Sequence, residues 1–229
     1  DEEYRHRHAG VTAHNRWLVD WCNEYPERRA GVGQIFLNDV DDAIADVRWI
    51  KENGLRGGIL LPNIAPDVKW VKPLYDRCYD PLWQVLQDLE VPINIHSGSG
   101  NPDYGPYPVS MLLYINEVPF YTERPLVQLI LSGVFERFPR LKVVLTEAGC
   151  AWVPPLLERL DTNIRSIRDT GATGEIRYGA DHILPKDATE YFHQNVWMGV
   201  SQPRQADADA RHIIGLDKFM WGSDYPHDE

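Results

Sequence analysis

Polar residues able to move protons or hold a metal stand at the ends of several short apolar runs. His96 closes Pro92-Ile93-Asn94-Ile95-His96 and is followed by Ser97-Gly98. An imidazole at the end of a rigid strand can ligate a divalent metal; a hydrogen-bonded core histidine is the alternative. Glu147 follows Val143-Val144-Leu145-Thr146 and precedes Ala148-Gly149. Its carboxylate could bind metal, hold a water or take a proton, or it could complement the dipole of a following helix. Asp224 ends Trp221-Gly222-Ser223-Asp224, and Pro226 stops the strand there. It could act as ligand and as general base for a metal-bound water; an Asx turn is the plainer alternative. His227 lies three residues further on, facing substrate or solvent.

Other candidates are weaker. His6-x-His8 has the spacing of paired ligands on a strand, but it sits in Tyr4-Arg5-His6-Arg7-His8 with no apolar run before it. A metal site needs a rigid support and few competing cations, so the pair is set aside. Arg124 and Arg204 could meet anionic substrates, with surface solvation the simpler assignment. Trp17, Trp21, Trp70, Trp83 and Trp152 are expected in the core.

The elements that would position these residues alternate. Strands are expected at Gly31–Leu37, Gly57–Pro62, Pro92–His96, Leu141–Thr146, Val196–Val200 and Phe219–Asp224. Helices are expected at Asn15–Glu24, Asp41–Asn53, around Leu82–Leu89, at Met111–Phe135 with a break near Pro125, at Val153–Arg168 and at Ala206–Ile214. A Gly, Pro and Tyr-rich loop covers Ser97–Val109, and Asp169–Lys186 reads as a polar insertion. Strand–helix alternation with short apolar strands implies a parallel α/β sheet. A doubly wound sheet and a (β/α)8 barrel compete, and both place active sites at strand C-termini. No GxGxxG or GxxxxGK[ST] follows a strand, which removes the commonest nucleotide-binding reasons for the open sheet. No domain boundary is visible, so residues 1–229 are read as one domain.

Composition narrows the partners. The chain has 229 residues, with 23 basic and 34 acidic, a net charge of −11 that argues against nucleic acid. Small anionic substrates stay open, because a local arginine or metal reverses the field in a cleft. No run of about 18 apolar residues crosses a membrane, and the polar start, Asp1 to His6, is no signal peptide. Three widely spaced cysteines, Cys22, Cys78 and Cys150, suggest free thiols, each a small buried hydrophobe, and a cytoplasmic setting. Association with a second copy is open; Met111–Tyr121 could line such a contact, but ordinary core helix is the preferred reading.

Taken together, Ile93-Asn94-Ile95-His96-Ser97-Gly98, Val144-Leu145-Thr146-Glu147-Ala148-Gly149 and Trp221-Gly222-Ser223-Asp224-Tyr225-Pro226-His227 resemble the amidohydrolase-2 family. This is the branch of the amidohydrolase superfamily related to aminocarboxymuconate-semialdehyde decarboxylase. Asn15-Arg16-Trp17-Leu18 and Pro26-Glu27-Arg28 are similar to its early helix and exit. The resemblance implies a (β/α)8 TIM barrel with one divalent metal at its mouth, often zinc, with manganese an alternative. It implies that His96 is the fifth-strand ligand and Asp224 the eighth-strand acid. Where decarboxylase relatives carry a sixth-strand histidine, this chain has Glu147. The visible strands match strands three to eight, without the first-strand His-x-His, so the chain reads as truncated at both ends.

The expected function is therefore a metal-dependent hydrolase. A metal-bound water would attack a small carbonyl, amide or cyclic substrate. His96 and Asp224 are assigned to the metal, Asp224 and Glu147 to catalysis, and His227 and Asn94 to substrate. Non-oxidative decarboxylation or C–C cleavage in the same pocket is the alternative. A non-catalytic barrel with an incomplete metal site is a third reading.

Overall fold

The computed structural model describes residues 2–227; the ends of the expected 1–229 domain lie outside the described residues. The chain opens with helix α1 (Glu2–Asn23), strand β1 (Val32–Gln34), α2 (Val40–Glu52) and β2 (Gly58–Leu60). Then come α3 (Asp80–Asp88), β3 (Ile93–His96), α4 (Ser110–Leu131), the short α5 (Val134–Arg137) and β4 (Val143–Thr146). Helix α6 (Val153–Thr170) leads to a small hairpin, β5 (Ala172–Thr173) and β6 (Ile176–Arg177). The chain continues through α7 (Ala188–Asn195), β7 (Val196–Ser201), α8 (Gln205–Ile214) and β8 (Phe219–Gly222).

Six strands form one parallel sheet in the order β1-β2-β3-β4-β7-β8. This is the expected parallel α/β fold, and all six expected strands are present. The order follows the chain, as in the arc of a (β/α) barrel. Among the described residues β1 and β8 are the two ends of the arc and are not paired with each other. The core is one continuous apolar cluster. It includes Ile59, Ile93, Ile95, Val143, Leu145, Val196 and Val200 from the strands. Trp83, Leu86, Leu126, Ile130, Leu156 and Phe192 reach it from the helices. Gly58 (φ +89°) is required between β2 and β3: a Cβ there would stand 2.1 Å from the Pro92 carbonyl oxygen.

Several expectations change. α1 starts at Glu2, well before Asn15, so His6 and His8 lie on a helix rather than a strand. His8 Nε2 is 2.8 Å from Asp46 Oδ2 on α2. α4 runs unbroken through Pro119 and Pro125 and stops before Gly133, at φ +70°. The helix absorbs Pro125 by burying its ring in the core face. The polar insertion ends at Lys186 as expected, but α7, a helix that was not expected, follows at once, started by Asp187 with a capping box closed by Glu190. Trp83 is buried and Trp152 half-buried, but Trp17, Trp21 and Trp70 are exposed. Cys22 and Cys150 are buried free thiols, whereas Cys78 is exposed. No helix among the described residues is long and apolar enough to cross a membrane.

Candidate active site

The sheet register brings the reactive ends together. His96 pairs with Thr146, and Thr146 with Gly199, so β3, β4 and β7 finish level. The Ser97 N–H donates to the Thr146 carbonyl and the Glu147 N–H to the Gly199 carbonyl. These bonds carry the register one residue past each strand. Among the described residues, three of the four non-glycine residues with positive φ follow strand ends: Glu147 (67°) after β4, Gln202 (45°) after β7 and Asp224 (52°) after β8. A left-handed conformation costs an L-residue roughly 1–2 kcal/mol, and such strain clusters where function demands it.

The side chains of Glu147, Asp224 and His227 converge. Each offers a ligand atom, and these atoms lie within 4.8 Å of one another. His227 Nδ1 is 2.9 Å from Asp224 Oδ2. His96 approaches from the other side, its Nε2 2.6 Å from Glu147 Oε2. That contact lacks hydrogen-bond geometry, and Glu147 Oε2 is buried without a hydrogen-bond partner. The distance and the orphaned oxygen are compatible on one physical account. His96 Nδ1 is 2.8 Å from the Ser97 carbonyl oxygen. A carbonyl only accepts, so Nδ1 carries a proton, which leaves Nε2 facing Glu147 Oε2. A ring nitrogen and a carboxylate oxygen this close need a proton or a cation between them. A histidine whose other nitrogen donates to a backbone carbonyl is also the usual dress of a metal ligand. Carboxylate and imidazole donors suit manganese or zinc. The residues present thus fit a divalent cation.

Asn94 is placed differently. Its Nδ2 donates to the Gly57 and Ile59 carbonyls at 2.8 and 3.1 Å. It pins β3 to β2 and does not join the cluster. Arg124 donates to the Ile64 carbonyl at 3.1 Å. A cleft of about 760 Å³ opens beside Glu147, and Trp152, Ser201, Arg204, Ile115 and Pro119 are among its walls. Arg204 thus lines the same cleft as Glu147.

Asp207 is a residue that sequence reasoning missed. Its Oδ1 accepts from the Cys150 and Ala151 N–H groups at 2.6 and 2.9 Å. Its Oδ2 accepts from the Arg204 N–H at 3.0 Å. Burial pushes the Asp207 carboxyl up, but these donors and the Cys150 thiol outweigh it and hold it below the usual carboxylate range. The available signal was its position, two residues into the expected Ala206–Ile214 helix, where acids cap the first turn.

Strand-end carboxylates and imidazoles at one mouth of a parallel sheet define the class of α/β enzymes that work from their strand C-termini. The chain belongs to the amidohydrolase family, whose sequence model matches residues 2–229. The gamma-resorcylate decarboxylase of Polaromonas sp. (strain JS666) is 27% identical over 220 residues, covering 93% of this chain and 64% of that protein. Decarboxylase orsB of Emericella nidulans is 25% identical over 217 residues, covering 88% and 59%. The chain thus spans less than two thirds of the length of these curated relatives. Amidohydrolase map2389c of Mycobacterium avium subsp. paratuberculosis superimposes with a TM-score of 0.74 at 28% identity, over 96% of this chain and 55% of that one. The 5-carboxyvanillate decarboxylase of Novosphingobium aromaticivorans, complexed with manganese and 4-hydroxy-3-methoxy-5-nitrobenzoic acid, shares the fold. Its TM-score is 0.79 at 23% identity, over 97% of this chain and 62% of that one.

Proposed function

We propose that this chain carries the site of a metal-dependent, non-oxidative decarboxylase acting on a small hydroxylated aromatic acid. The observation that carries the reading is the convergence of Glu147, Asp224 and His227, with His96 against Glu147, at the strand C-termini. The decarboxylase names of the curated relatives favour carbon–carbon cleavage over the hydrolysis placed first by the sequence. Manganese in solved relatives favours that ion over the expected zinc. Hydrolysis stays as the second reading, because Glu147 stands where decarboxylase relatives are expected to carry a histidine. A non-catalytic barrel gives no reason for these side chains to meet.

Glu147 and Asp224, with the imidazoles of His96 and His227, are the residues that would hold the ion. When bound, a divalent metal supplies positive charge that polarises a substrate carboxylate or phenolate. Arg204 offers a paired-donor fork to an anionic substituent. Trp152, Ile115 and Pro119 give the ring an apolar wall. As the bond to the carboxylate carbon breaks, its electron pair stays on the ring carbon and carbon dioxide leaves. That ring carbon must take a proton. Asp224 is placed to deliver one from its carboxyl, and His227, 2.9 Å from Asp224 Oδ2, to replace it from solvent.

The test supplies manganese and offers 2,6-dihydroxybenzoate and 5-carboxyvanillate in deuterated water. Carbon dioxide and one ring deuterium per product are expected. Asp224→Asn should lower kcat by about 10²-fold or more. No carbon dioxide, together with oxygen-18 uptake from labelled water into amide or ester products, would hand the site to hydrolysis.

A further inference from the structure

The first half of α4, expected as core helix at Met111–Tyr121, is mostly exposed, and the helix buries side chains only from Thr122 onward. Arg124 stands in that second half and is half-buried, with Thr122 and Pro125 buried on either side. Its Nη1 donates to the Ile64 carbonyl at 3.1 Å, in the segment between β2 and α3. Among the described residues no carboxylate pairs with it. A guanidinium drawn partly out of water without a counter-charge is costly, and its remaining N–H groups stay able to donate. A cavity of about 390 Å³ opens between this segment and α4. Lys69 and Lys72 stand in its walls with Arg124, and neither lysine is in a salt bridge among the described residues. Lys69 Nζ donates to the Pro66 carbonyl, which leaves about two of its N–H groups unused. No acid among the described residues lines the cavity. Asp67 and Asp76, close by in the chain, are held elsewhere. Asp67 Oδ2 accepts from the Asp103 N–H at 3.2 Å, and Asp76 Oδ1 from the Cys78 N–H at 2.9 Å. The bonds from Cys78, and more weakly the Lys72 charge, hold the Asp76 carboxyl below its usual range.

We infer that this cavity binds a small phosphate monoester, with the phosphoryl group against Lys69, Lys72 and Arg124. A phosphoryl group carries a charge of about −1.5 to −2 at pH 7 and three acceptor oxygens. That suits two mobile ammonium groups and a tethered guanidinium fork better than a singly charged carboxylate does. Ile64, Val68, Val71 and Tyr75 supply apolar surface for an organic body beside that group. The volume falls within the roughly 300–1,000 Å³ of small-molecule pockets. The Gln128 side-chain amide, which makes no hydrogen bond among the described residues, adds a further donor. The chain as a whole carries −11, so three cations without an acid between them draw anions to this one place. The cavity shares no wall residue with the cleft beside Glu147, and its occupation does not depend on the reaction proposed there.

Isothermal titration of the 229-residue chain with phenyl phosphate, in the presence of a chelator, should give saturable one-to-one binding that weakens as salt is raised. Inorganic phosphate lacks the apolar body and benzoate the second charge, and each should bind about tenfold more weakly or worse. Lys69→Gln with Lys72→Gln, two exposed side chains, should lower the phenyl phosphate affinity about tenfold or more with an unchanged far-ultraviolet circular dichroism spectrum. Arg124→Gln should do the same, and Lys72→Arg should hold the affinity within about threefold. Arg204→Gln, in the cleft beside Glu147, should leave it unchanged. No saturable binding, an affinity kept in the double lysine variant or in Arg124→Gln, a loss in Arg204→Gln, or inorganic phosphate or benzoate as tight as phenyl phosphate would each overturn the inference.

Discussion

Asp207 ties α8 to the loop after β4, the loop that carries Glu147. Two N–H groups of that loop end on one carboxylate oxygen, and the N–H of Arg204 on the other. Gly149, at φ +60°, passes close beneath: a Cβ there would stand 3.0 Å from Asp207 Oδ1. Asp207→Ala would leave buried donors unmatched, and a loss of about 2–3 kcal/mol in urea unfolding at pH 7 is expected. The folded carboxyl sits below its usual value, so its contribution is complete above the ordinary carboxylate pKa of about 4. It fades as pH falls through the lower folded value. The gap between wild type and variant should therefore hold steady above about pH 5 and narrow in acid. A gap that does not change with pH would contradict a charged role. His96, Glu147, Asp224 and His227 were readable in the sequence because each follows or ends an apolar run. Asp207 was not, since its partners are backbone groups far along the chain that no residue type announces.

At the scale of elements, periodicity located all six strands because each is a short apolar run between turn residues. Boundaries failed where tertiary contacts decide them. The start of α1 is polar throughout, and its helicity rests on contacts with α2. Tyr4 Oη donates to Asp42 Oδ2 at 2.7 Å, His8 Nε2 meets Asp46 Oδ2 at 2.8 Å, and the Tyr4 and His8 rings stack. Those three contacts turn the His-x-His segment from a metal candidate into a helix clamp. Tyr4→Phe with His8→Ala should free the first turns without unfolding the core. Amide exchange in residues 3–12 should quicken about five- to tenfold, the signature of about 1–1.4 kcal/mol, while the global urea midpoint stays put. A large fall in the midpoint would mean that α1 belongs to the cooperative core instead.

For the whole molecule, the cluster at the sheet mouth is a point of internal repulsion in an already acidic protein. Glu147 follows β4 and Asp224 follows β8, with β7 between them. Their ligand atoms lie within 4.8 Å, a separation at which two carboxylates repel by roughly 1–3 kcal/mol in a partly screened setting. A divalent cation removes that repulsion and joins the ends of two strands that do not touch each other in the sheet. Binding that favours the folded state by mass action adds about 2.7 kcal/mol at a hundredfold excess over Kd. For a chain of this size that corresponds to about 5–10 °C in Tm. Manganese should raise the Tm by this amount, and a chelator should return it to the starting value. Asp224→Asn, which removes one charge and one ligand oxygen, should raise the metal-free Tm slightly and flatten the manganese response. A rise of the same size in Asp224→Asn would place the ion elsewhere on the acidic surface and separate the fold's stability from the chemistry at its mouth.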